Sequence, residues 1–250
     1  MVESKIVKHR EKVIGILGGM GPEATADLFL KIIKATPAKK DQNHLRIIID
    51  NNPKIPSRTS AIFGKGKSPL KQLQETLHNL EKAGAEIIAM PCNTAHHYYN
   101  ELQESTNIPI INMILETAAY IYENFPDIKK IGLLATTGTI KAGIYHKAIT
   151  KLKVITPDED AQETVMNAIC GEQGIKAGYT QGNSRSDILE VAKMLINKGA
   201  EAIIIGCTEI SLVLSQKDLP IPLIDPSEIL ATAVVRKARQ ARSCQHTGNA

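Results

Sequence analysis

An internal repeat narrows the fold of this 250-residue chain more than any other feature of its sequence. IGILGGMGP at 14–22 recurs as IGLLATTGT at 131–139, AGAEIIAMPCNT at 83–94 as KGAEAIIIGCTE at 198–209, and IPIIN at 108–112 as IPLID at 221–225. The three blocks keep their order and recur 117, 115 and 113 positions apart. Solenoid and propeller repeats have periods of roughly 20–50 residues. The duplicated unit is therefore a whole domain, and the chain folds as two similar halves.

Short β-branched runs at 13–18, 46–50, 86–90, 108–113, 130–135, 202–206 and 221–225 read as buried strands bounded by Gly, Pro or Asn. Amphipathic stretches at 22–35, 69–83, 114–124, 160–170 and 186–198 read as helices between them, the last with Ser186 and Asp187 at its N-cap and Gly199 as its stop. Strands alternating with helices make βαβ units and mostly parallel sheets. The predicted architecture is α/β, with two pseudo-symmetric Rossmann-like domains and the active site in the cleft between them, beyond the C-terminal strand ends. The boundary falls near residue 113. The final helix, 228–240, is expected to return to the first half, giving domains of 1–113 plus 226–250 and 114–225.

No apolar run approaches the roughly 20 residues of a membrane span, and MVESKIVKHREK lacks the apolar stretch of a signal peptide. The expectation is a cytoplasmic protein with no membrane partner. Thiols stay reduced there, so four cysteines read as chemistry or core rather than as disulfides. Aromatic residues are 4% of the chain, with no Trp, so stacking platforms are scarce and no nucleic-acid partner is expected. The net charge of +4 suits a small anionic ligand.

In each half an apolar strand ends and a cysteine follows at once: Cys92 before Asn93 and Thr94, Cys207 before Thr208 and Glu209. By the pseudosymmetry the two sulfurs face the cleft from opposite walls. A helix starting at either would favour its thiolate. Inverting a stereocentre through a planar carbanion needs a base on one face and an acid on the other, and two like groups can exchange those roles. The plain alternative is a pair of small buried hydrophobes. No third or fourth ligand lies at a recognisable metal spacing. His96 and His97 read as capping or packing residues, Gly64 to Lys67 as a flap or plain surface loop, and Cys244 as incidental.

The motifs IGILGGMGPEAT, NNPKIPSRT, MPCNTAH, GLLATTGT, GIKAG, GCTEIS and PLIDP resemble the aspartate racemase branch of the aspartate/glutamate racemase family, in that family's order, from residue 13 to about 240. The resemblance implies a cofactor-independent isomerase with Cys92 and Cys207 as acid/base catalysts, no pyridoxal phosphate, no metal, and a homodimer. It implies a dicarboxylic amino acid as substrate, aspartate or glutamate. Arg58 would bind one carboxylate and Lys176 the other, with Ser57 and Thr59 beside Arg58. Asn93, Thr94, Ala95, Thr208 and Glu209 would meet the α-amino and α-carboxylate ends. Met20 in the glycine loop, with Thr136 and Thr137, would line the cleft. Three features depart from the pattern. Ser57 stands where several relatives carry Asp, and Cys170 where a tyrosine is often found, in a longer segment before the lysine. Glu209 stands where glutamate racemases carry His.

Two other readings stay open. Gly19 to Ala24 fits G-x-G-x-x-A after a strand, the fingerprint of an NAD(P)-dependent oxidoreductase. The second copy does not repeat it, and the acidic Asp50 lies further on than the usual distance. A two-domain protein that closes on a dicarboxylate without turnover would share the same cleft.

Overall fold

The computed structural model describes residues 10–240; Cys244 and the N-terminal segment lie outside the described residues. The first half runs β1 (Ile14–Gly18), α1 (Pro22–Ala35), β2 (Ile47–Asn51), α2 (Arg58–Ile62), α3 (Leu70–Lys82), β3 (Ile87–Ala89), α4 (Tyr99–Glu104) and β4 (Ile110–Ile111). The second runs α5 (Met113–Asn124), β5 (Lys130–Ala135), α6 (Thr137–Ala142), α7 (Ile144–Ala148), β6 (Lys153–Ile155), α8 (Glu159–Cys170), α9 (Asn183–Asn197), β7 (Ile203–Gly206), β8 (Leu223–Ile224) and α10 (Pro226–Arg239).

Two four-stranded sheets form, β2-β1-β3-β4 and β6-β5-β7-β8, parallel throughout. The second repeats the order of the first, so the duplication in the sequence is a duplication in space. Helices cover both sheet faces, which is why β1, β3 and β7 are buried along their whole length and read as continuous apolar runs rather than alternating ones. On one side of β1, Ile14 and Ile16 pack with Leu28 and Ile32 of α1. On the other, Leu17 packs with Leu73, Leu77 and Leu80 of α3.

Helix α10 is capped by Asp225, whose side chain accepts from the Ser227 amide at 2.8 Å. Its buried face, Leu230, Ala231, Val234 and Ala238, joins Leu28 and Ile32 over the first sheet. Lys31 of α1 reaches Asp225 at 2.8 Å and Asp27 at 2.5 Å, which ties α1 to the cap of α10.

The structure adds four short helices, α2, α4, α6 and α7, to those read from the sequence, and departs from that reading at two further elements. β6 is an additional strand; it pairs with β5 alone at a sheet edge and is at most half-buried, so it carries no apolar run to betray it. Helix α9 begins at Asn183 rather than after Ser186, because Gly182, at φ +72°, turns the chain earlier. The Ser186 hydroxyl then bonds back to the Asn183 carbonyl at 2.9 Å. Gly199, at φ +93°, ends that helix. No helix among the described residues is long and apolar enough to cross a membrane.

Candidate active site

β3 and β7 occupy the same place in their sheets, and each delivers its cysteine just past its C-terminal end. A cavity of about 300 Å³ lies between the halves and is lined by both Cys92 and Cys207. Around the sulfurs it collects Met20, Ser57, Arg58, Thr59, Asn93, Thr94, Thr136, Lys176, Thr208 and Glu209 from the residues singled out in the sequence. Two others fall elsewhere. Ala95 is wholly buried in the core around β3. Thr137 turns away, its amide donating to the Met166 sulfur and its hydroxyl accepting from Gln162. Ile55, Gly206 and Cys170 also line the cavity. Cys170 arrives at the last residue of α8 and is exposed.

Cys207 is followed by a single 3-10 turn, Ile210–Leu212, and Cys92 by a 3-10 segment, Thr94–Tyr98, that runs into the short helix α4, so neither cysteine opens a long α-helix. The helix-dipole source of thiolate character is correspondingly small. At Cys207 the local chemistry opposes it. Its Sγ, buried, donates to Glu209 Oε2 at 3.0 Å. Burial and the adjacent Glu209 carboxylate hold this thiol well above its ordinary range, against a smaller opposing pull from Lys176. Cys207 therefore rests as a thiol.

Glu209 is itself an ion. Burial disfavours its charge, but the Lys176 ammonium outweighs that and keeps the carboxyl below its ordinary range. Lys176 donates to Glu209 Oε1, and the carboxylate keeps the lysine above its own ordinary value despite burial. The same oxygen accepts from the Gly21 amide at 3.0 Å, linking the second half to the first loop of the first. A carboxylate thus already sits on the amide at the start of α1, where a dinucleotide pyrophosphate would be held, which argues against the oxidoreductase fingerprint.

Arg58 opens α2, whose N-cap Ser57 accepts from the Ser60 amide at 3.2 Å. Its Nη1 donates to the carbonyls of Ile55 (3.2 Å) and Pro56 (3.0 Å), so its own loop fixes the guanidinium. Its Nε is buried and has no partner among the described residues. That leaves an edge of the planar fork free for an anion.

The two halves interlock around the cavity. Thr94 Oγ1 meets Thr136 Oγ1 at 3.0 Å and Thr139 Oγ1 at 2.8 Å, and Thr208 Oγ1 donates to the Pro91 carbonyl at 3.3 Å. α2 and α6 approach so closely that a Cβ on Gly138 would lie 2.5 Å from Thr59 Oγ1. His96 stands behind the Cys92 loop. Its Nδ1–H donates to the Cys92 carbonyl at 2.9 Å and its Nε2 accepts from the Met113 amide at 3.1 Å. That pattern requires a neutral ring, and burial brings its pKa down to about 4. Tyr145, which carries no sequence motif, is buried completely and donates to Asn93 Oδ1 at 2.5 Å.

A family model for Asp/Glu/hydantoin racemases matches residues 17–234. The chain is 30% identical over 230 residues to the broad specificity amino-acid racemase RacX of Bacillus subtilis, an alignment that spans 89% of this chain and 96% of the relative. Among solved structures, the aspartate racemase of Picrophilus torridus superposes with a TM-score of 0.81 at 33% identity, covering 91% of this chain and 94% of that one. An aspartate racemase homologue from Pyrococcus horikoshii gives 0.72 at 28% identity, covering 92% and 100%.

Proposed function

The chain is an amino-acid racemase of the Asp/Glu/hydantoin racemase family, and from this premise we propose that it inverts a dicarboxylic amino acid, aspartate foremost, with Cys92 and Cys207 as its acid/base pair. One observation carries the reading: the equivalent strand ends of two repeated sheets bring two buried cysteines to a single cavity. One sulfur, as thiolate, takes the α-proton; the electron pair stays on the planar α-carbon and its carboxylate; the thiol on the far face returns a proton to carbon. Cys207, resting as a thiol on Glu209, is suited to give the proton first. No protein group need leave, and the two sulfurs end with their protonation exchanged.

Charge supports a substrate that bears a carboxylate. With one cysteine as thiolate, the lining sets Arg58 and Lys176 against Glu209 and that sulfur; Lys176 is paired with Glu209, which leaves the Arg58 guanidinium as the cation for a substrate carboxylate. Arg58 Nε, buried and unpartnered, provides a place for a carboxylate. Excluding water and fixing these donors would stabilise the carbanion as its charge develops. The Lys176–Glu209 pair favours a second reading. With that lysine already neutralised, Arg58 alone would hold the α-carboxylate and the side chain could vary, as the name of the Bacillus subtilis relative suggests for that protein.

Proton NMR in D₂O tests both. Aspartate, glutamate and neutral amino acids are followed for loss of the α-proton signal, with chiral analysis of the same samples. Exchange with inversion of aspartate, abolished in Cys92→Ala and Cys207→Ala, supports the proposal. Inversion that persists in either variant refutes the cysteine pair, and equal rates on alanine and aspartate favour the second reading. A homodimer, which the family resemblance implies, belongs to the same proposal and is read by light scattering.

A further inference from the structure

Asn93 is 2% exposed and lines the cavity, yet its Nδ2 is buried with no partner among the described residues. Its Oδ1 is occupied by the Tyr145 hydroxyl at 2.5 Å. The two come from opposite halves: Asn93 follows the β3 strand end and Tyr145 sits in α7. The phenol ring is locked among Ile131, Leu133, Ile149 and Ile204, beneath the second sheet. An amide whose oxygen is taken from behind can present only its NH₂ edge forward, and a buried donor without an acceptor is costly unless a ligand supplies one.

We infer that Tyr145 is a positioning residue which, from the second half, fixes the Asn93 amide so that its Nδ2 donates to a carboxylate oxygen of the bound amino acid. The inference rests on the proposal that the cavity takes an amino acid. A donor already aimed at that oxygen gains strength as negative charge accumulates there during proton abstraction, and it needs no reorganisation. The phenol remains a donor throughout, because burial raises its pKa.

The test is a double-mutant cycle of Tyr145→Phe and Asn93→Ala, with Asn93→Asp as a third variant. Phe keeps the buried ring and removes only the hydroxyl. Turnover of L-aspartate gives kcat and KM, and calorimetry gives the Kd of L-aspartate for every protein. Expected are a fall in kcat of about tenfold for Tyr145→Phe with KM changed less than about threefold, and no further loss when Tyr145→Phe is added to Asn93→Ala. Asn93→Asp should be worse than Asn93→Ala in both kcat and Kd, because its second oxygen would confront the substrate carboxylate. Additive losses across the cycle would show the tyrosine acting on the fold alone, and Asn93→Asp binding as tightly as wild type would mean that the amide oxygen faces the ligand; either result overturns the inference. The wild type separates this from the parent reading. If it binds L-aspartate without turnover, racemisation of aspartate fails while the Kd series still decides Asn93; if it does not bind L-aspartate at all, both fail.

Discussion

Acidification from neutral pH to about pH 4.5 should strip stability from this protein at one buried imidazole, His96. Its pKa falls from 6.5 in the unfolded chain to about 4 in the native state, because burial disfavours the cation more than the Cys92 and Ile111 backbone groups favour it. The sign follows directly. A depressed pKa means that the unfolded chain binds the proton first, so stability is complete above pH 6.5 and drains away as the pH falls toward 4. At about 1.36 kcal/mol per pKa unit the whole difference is roughly 3 kcal/mol, of which about 2.5 kcal/mol is lost by pH ~4.5. Carboxylates such as Asp218 also weaken in acid, so the assay needs an internal reference. His96→Phe keeps a ring but strands the Cys92 carbonyl and the Met113 amide, at a cost on the order of 3 kcal/mol near neutrality. Urea unfolding of both proteins at pH ~7 and ~4.5 should show this gap closing by most of that 2.5 kcal/mol. A gap of the same size at both pH values would refute the neutral, doubly bonded ring. Because the native ring takes its proton only near pH 4, any loss of wild-type kcat through the Cys92 loop should appear as the pH approaches 4, below the interval over which stability drains.

Glu209→Gln removes the carboxylate that holds Cys207 as a thiol and leaves Lys176 beside it. The ultraviolet titration of that thiolate, followed in a Cys92→Ser, Cys170→Ser, Cys244→Ser background, should move to lower pH, and an unmoved or higher midpoint would contradict the assigned cause. Lys31→Met should cost about 3 kcal/mol in urea unfolding, because Asp27 and Asp225 would face each other half-buried without their cation; a loss below about 0.5 kcal/mol would mean that the pair is solvated. Gly138→Ala should push α6 off α2, since the added Cβ meets Thr59 Oγ1 at 2.5 Å and Thr59 Cα at 2.9 Å. The expected result is a KM raised about tenfold through Arg58, at a stability cost of about 1–3 kcal/mol, and an unchanged KM would show that the contact gives way. Since enantiomers have equal free energy, kcat/KM for L- and D-aspartate must agree at every pH. The unlike environments of the two sulfurs should therefore appear as unequal kcat values matched by unequal KM values, and equal pairs would indicate sulfurs of equal proton affinity in the bound complex.

The sequence alone determined the duplication, the α/β class, the strands that form the buried centre of each sheet, and the pairing of Cys92 with Cys207 at equivalent strand ends, while Arg58, Lys176 and Glu209 were legible only through the family resemblance. The strands and the cysteine pair were legible because the apolar runs of β1, β3, β5 and β7 are buried on both faces and admit few other residues, and because the repeat names equivalent strand ends. β6 escaped because an edge strand needs no apolar run, and the start of α9 because a glycine turn, not a capping side chain, sets it. Only the tertiary structure decided what each group does there. Cys207 rests as a thiol because folding places Glu209 beside it and Lys176 beside Glu209. His96 is neutral because its two ring nitrogens meet groups from two different segments. Tyr145 governs Asn93 across an interval of 52 residues. Protonation and orientation depend on burial and on the nearest partner, and those partners are distant along the chain, so no local pattern carries them.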